Sequence, residues 1–87
     1  MKIKDGFMLC EIAGDTVIVP YGDAAREFHG MIKVNDTGKA LWNRLTEGAE
    51  LSELTALLTE QFGAEPQIAA QDAADFVAQL KEIGCLA

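Results

Sequence analysis

At 87 residues the chain has room for one domain with a single core and for no deep catalytic cavity. Hydrophobic residues make up 49% of it, which excludes disorder by composition. The net charge of −7 is uneven: residues 1–34 carry four Lys/Arg against five Asp/Glu, and residues 35–87 carry three against nine, an acidic balance that argues against a phosphate-binding surface.

The first residues, Met1-Lys2-Ile3-Lys4-Asp5-Gly6, place charges where a signal peptide has its apolar stretch. No apolar run approaches the ~20 residues of a membrane span. A cytoplasmic protein is the expectation. Phe7–Ile12 reads as a first strand, Ala13-Gly14-Asp15 as a turn, and Thr16–Pro20 as a second strand rich in β-branched residues. Tyr21 to Gly30 is a polar connection that holds Arg26, Glu27 and His29. Met31–Val34 reads as a short third strand. Ile32 and Val34 share the face assigned to the core, because Val34 adjoins the next helix, and Met31 and Lys33 share the other.

Asn35 or Asp36 caps a first helix over Asp36–Thr46, which Gly48 ends. Leu41, Trp42 and Leu45 recur there at helical spacing, so Trp42 reads as core. A second helix is expected over Leu51–Phe62, with Leu51, Leu54, Leu57, Leu58 and Phe62 on one stripe and Gly63 as its stop. Pro66 suits the first position of a third helix that runs to about Ile83 and ends at Gly84. Its apolar stripe is Ala69, Ala73, Phe76, Val77, Leu80 and Ile83, and the opposite face carries Gln71, Asp72, Asp75, Gln79 and Glu82. Strands first and helices afterwards make an α+β domain, and so small a sheet keeps at least one edge free. An open edge can accept an extended peptide.

Chemistry-bearing residues are sparse. Cys10 and Cys85 sit in no CxxC pair and His29 is the sole histidine, so the ligands of a zinc site are absent. The two cysteines read as reduced thiols, Cys10 half-buried in a strand and Cys85 at a helix end, rather than as a disulfide. Cys10–His29 is the one nucleophile–base pair worth naming, and a half-buried thiol beside a loop histidine is the simpler account. Gly30 and Gly38 do not have the spacing of a phosphate-binding loop. Leu51-Ser52-Glu53-Leu54 lacks the Asp-Ser-Leu step at which acyl carriers take their phosphopantetheine arm.

Taken together, several segments resemble the PqqD family. They are Lys4-Asp5-Gly6-Phe7-Met8-Leu9, Val17-Ile18-Val19-Pro20, Val34-Asn35-Asp36-Thr37-Gly38 followed by Leu41-Trp42, then Glu53-Leu54, and the closing Leu80 to Ile83-Gly84. The Asn-x-Thr-Gly step with a downstream Trp is the most specific of them. One departure is Glu50, where relatives often have a threonine capping the second helix. The resemblance spans residues 1–87 as one RiPP recognition element. It implies a winged-helix-like α+β fold, a three-stranded antiparallel sheet followed by three helices. It further implies a non-catalytic adaptor without a cofactor, which binds the leader of a ribosomally made precursor peptide and presents it to a modifying enzyme, in many members a radical S-adenosylmethionine maturase. The leader would add as a strand to the third strand, with its apolar side chains in the groove before the third helix.

On that reading Met31, Ile32, Lys33 and Val34 form the docking edge, and Ala69, Ala73, Phe76, Val77 and Leu80 are candidates for the groove wall. Phe76 and Leu80 have a wholly core role as the alternative. Lys33, Arg26 and Lys81 are candidate partners for acidic leader residues. A nucleic-acid-binding winged helix is the first rival, and the absence of Lys or Arg from Leu51–Phe62 speaks against it. A structural subunit of a maturase complex without leader binding is the second. Open edges also permit a homodimer.

Overall fold

Two short apolar runs open the chain as a hairpin in the computed structural model, which describes residues 1–27 and 31–87. Strand β1 (Phe7–Ile12) pairs antiparallel with β2 (Asp15–Pro20), Leu9 opposite Ile18 and Ile12 opposite Asp15. The connection is therefore two residues long, Ala13-Gly14, and Asp15 belongs to the strand rather than to the turn. Both turn residues have positive φ, 52° at Ala13 and 85° at Gly14. Two-residue hairpins need that sense of twist to match the strands they join.

After β2 comes a four-residue helical turn, α1 (Ala24–Glu27), within the segment expected to be a plain connection. Four residues are too few to carry a periodic signal. Strand β3 (Ile32–Val34) then pairs antiparallel with β2, which makes the sheet order β1-β2-β3. Leu9, Ile18 and Ile32 fall in one row across the three strands. That row faces the helices. Ile18, on the central strand, is fully buried, while Leu9 and Ile32 pack on the core from the flanks.

Three longer helices follow: α2 (Asp36–Glu47), α3 (Leu51–Phe62) and α4 (Pro66–Glu82). Leu41, Trp42 and Leu45 of α2, Leu54 and Leu58 of α3, and Ala69, Ala73, Val77 and Leu80 of α4 make the core with Ile18. Leu51 and Phe62, expected on the α3 stripe, lie at its two ends and stay 40% and 42% exposed. The Glu50 position is handled by a reciprocal contact: the Glu53 carboxylate accepts the Glu50 backbone N–H at 3.0 Å. Arg44 clamps this junction by donating to the Gly48 carbonyl and to the Glu53 carboxylate.

Helix α4 closes in a Schellman motif. The Cys85 N–H reaches the Leu80 carbonyl at 2.9 Å, the Gly84 N–H reaches that of Lys81 at 3.2 Å, and Gly84 takes φ +77°. The motif turns Cys85 into the core. Beyond it Leu86 pairs with Ile3 in an isolated antiparallel bridge, with Lys4 N–H on the Cys85 carbonyl at 2.7 Å and Ala87 N–H on that of Lys2 at 2.9 Å. Among the described residues no helix is long and apolar enough to cross a membrane.

Candidate functional site

Strand β3 is one of the two edges of the sheet, paired with β2 on one side. Its alternation turns Ile32 and Val34 toward the core and Lys33 to the outer face. Met31 precedes the strand rather than belonging to it, and is 62% exposed.

The step from β3 into α2 is built by three polar and small residues, Asn35, Thr37 and Gly38. Asn35 is the N-cap, and its side-chain oxygen accepts the Gly38 N–H at 2.9 Å and the Thr37 hydroxyl at 2.8 Å. Gly38 is buried in the first turn. A Cβ there would lie 3.2 Å from the Val34 Cβ, 3.3 Å from the Asn35 oxygen and 3.3 Å from Cε1 of Phe76. The missing side chain thus lets the Phe76 ring of α4 settle over the start of α2. The Asn-x-Thr-Gly step is a cap and a close approach combined.

What results is an open groove of about 310 Å³ between the edge strand and α4. Lys33 and Val34 border it on the strand side, Gly38 and Leu41 form part of its floor, and Asp72, Asp75, Phe76 and Gln79 make the helix wall. Of the nine positions put forward from sequence, Lys33, Val34 and Phe76 line this groove. Ile32 is half-buried against the core, and Met31 stands outside the strand. Ala69, Ala73 and Leu80 are fully buried and Val77 is 6% exposed, so these four face the interior rather than the groove.

The physical reason lies in the α-helical period of ~100° per residue. Positions 69, 73, 77 and 80 occupy one arc of α4, and 72, 75, 76 and 79 the adjacent arc. The small residues of the first arc allow close packing inside the core. The second arc, with Asp72, Asp75 and Gln79 read from sequence as an opposite, polar face and Phe76 as part of the apolar stripe, is the one that fronts the groove. Phe76 lies on the boundary between them, half-buried.

The cations proposed as rim contacts are placed differently from one another. The Lys33 ammonium lies 3.2 Å from the Asp15 carboxylate, Arg26 lies 3.9 Å from Asp23, and Lys81 does not border the groove. Across the sheet, Glu11 accepts the Thr16 hydroxyl at 2.8 Å and stands 3.4 Å from the Lys39 ammonium, contacts that hold its carboxyl below the usual range. Cys10 and Cys85 are both free thiols, and burial pushes that of Cys85 up to about 11. A thiol so raised is a poor nucleophile at neutral pH. His29, the partner considered for Cys10, lies outside the described residues. Among the described residues no three His, Cys, Asp or Glu come together as a metal site.

The family described as coenzyme PQQ synthesis protein D (PqqD) matches residues 15–86. The chain belongs to the PqqD family. In this PqqD-family chain the matched segment contains β3, α2 and α4, the elements that border the groove. Two solved structures share the fold. One is titled "TbiB1 in Complex with the TbiA(beta) Leader Peptide", with a TM-score of 0.76 and 20% identity over 99% of this chain and 94% of that one. The other, "Lasso peptide synthetase B1 complexed with the leader peptide", has a TM-score of 0.73 and 23% identity over 97% and 93%. No curated protein matches.

Proposed function

We propose that this PqqD-family chain is a non-catalytic adaptor that captures the leader of a ribosomally made precursor peptide by strand addition to β3. It then presents the attached core peptide to a modifying enzyme, with a radical S-adenosylmethionine maturase as the specific expectation. The observation that carries this reading is an edge strand beside a groove with an apolar floor. An added strand gains main-chain hydrogen bonds for affinity, and its alternate side chains enter the groove for selectivity. Membership of the family and the leader peptides named in the two structural likenesses support the same role.

The test is titration of the isotope-labelled protein with synthetic leader from a short open reading frame beside its gene, followed by NMR. Shifts should cluster on Ile32–Val34 and on the α4 wall. Proline placed singly at Ile32 and at Lys33 separates pairing from folding. In one of the two, the N–H removed is the one that faces away from β2. That variant should keep its fold and lose the leader. Leader binding retained by both folded variants overturns strand addition. Trp42→Ala serves as the contrast: it should cost ~3–5 kcal/mol of stability as a core truncation.

A further inference from the structure

We propose that the groove selects a leader segment in which a lysine or arginine lies two residues from an apolar side chain, with the cation seated against Asp72 and the apolar group on Phe76. This rests on strand addition at β3 and names the chemistry of what is added.

The charges bordering the groove are unequally engaged. Lys33 is matched by Asp15 at 3.2 Å. On the facing wall Asp72 and Asp75 have no cation partner among the described ion pairs, and Asp75 has only the neutral Gln71 amide at 2.8 Å. The one basic residue of α4 is Lys81, six positions past Asp75 and so roughly 9 Å further along the axis. The groove therefore presents two uncompensated carboxylates above a floor of Val34, Gly38, Leu41 and Phe76. An acidic leader would meet repulsion on this wall, which reverses the expectation that Lys33, Arg26 and Lys81 attract acidic residues.

Spacing agrees with charge. Asp72 and Phe76 are one helical turn apart, a rise of ~6 Å. Side chains on the same face of an extended peptide repeat every ~6.7 Å. One repeat of an added strand thus spans from the aromatic ring to the carboxylate. Asp75 flanks the ring and adds a second negative charge to the same wall. The net charge of −7 favours approach of a basic segment over long range.

Three synthetic peptides test this: acetyl-Thr-Val-Thr-Leu-Thr-Xaa-Thr-Val-amide with Xaa as Lys, Gln or Glu, titrated against the labelled protein. The order of affinity should be Lys, Gln, Glu, with about three- to tenfold between the extremes, as befits exposed charge pairs. The preference should fade at 1 M salt, where the screening length is ~3 Å. It should also vanish in Asp72→Asn/Asp75→Asn, an exposed double substitution whose fold is checked by its spectrum. Groove shifts that are indifferent to Xaa overturn the charge selection while leaving strand addition standing. A preference that persists unchanged in the double variant overturns the assignment to this wall. An absence of shifts on Ile32–Val34 and α4 with all three peptides, at millimolar concentration, overturns the groove reading itself.

Discussion

Gly38 carries more of the candidate site than any side chain around it. It is a poor helix former inside the first turn of α2, and alanine would gain up to ~1 kcal/mol of helix propensity there. The added Cβ, however, would crowd Val34, Asn35 and Phe76 at 3.2–3.3 Å. The aromatic ring is half-buried and has the groove to move into. Gly38→Ala should therefore leave stability within ~1 kcal/mol of the parent, because propensity and crowding offset each other. The ring should shift outward and weaken peptide binding severalfold. A denaturation curve and a peptide titration on the same sample check both halves. The groove-lining positions missed from sequence, Asp72, Asp75 and Gln79, are polar residues on a helix, a pattern shared with any solvated face. Their one distinguishing signal is spacing: they share an arc with Phe76.

Among the elements, the hairpin was legible because two short apolar runs, the second rich in β-branched residues, flank a glycine-containing turn. Its turn was misjudged by one residue. Ala-Gly is an unusual pair for a two-residue turn, and Asp15 is a residue type that turns favour. The cost falls on Ala13, which holds φ 52° with a Cβ. Ala13→Asn should relieve part of that and raise stability by ~0.5–1 kcal/mol, measured as a higher denaturation midpoint with an unchanged slope. The outer face of this sheet, with Met8 and Ile12 more than 40% exposed, shows that strand alternation here does not separate apolar from polar cleanly. The core face is instead identified by its row, Leu9, Ile18 and Ile32, which the antiparallel register aligns.

At the scale of the whole molecule, residues 1–4 and 85–87 are brought together, and Cys85 is sealed beneath them. Burial raises its thiol from 9.0 to about 11 in the fold. As the pH rises through that window the unfolded chain releases the proton first. Stability is thus fully present below 9 and falls toward 11, by up to roughly 3 kcal/mol. Cys85→Ala should remove this component, seen as a shallower loss of midpoint between pH 8.5 and 10.5 than in the parent. A thiol reagent at pH 8 should modify Cys10 in the folded protein and reach Cys85 only on unfolding.

By itself the sequence determined the three strands, the three long helices, their order and the family, but not the four-residue α1. Periodicity, caps and turn residues are local properties, and Asn35, Gly48, Gly63, Pro66 and Gly84 mark the boundaries of the three long helices through the backbone conformations they favour. Local signals also chose the inward residues of β3, because one residue of slip would reverse its faces. Which arc of α4 meets the core and which fronts the groove was decided only by the tertiary structure. Both arcs repeat with the same helical period, and only the packing of Ala69, Ala73, Val77 and Leu80 into the interior leaves Asp72, Asp75, Phe76 and Gln79 to face the open strand. The matching of Lys33 by Asp15 was likewise invisible beforehand, since it depends on the register of β2 against β3, in which Lys33 stands opposite Val17 and so two residues from Asp15.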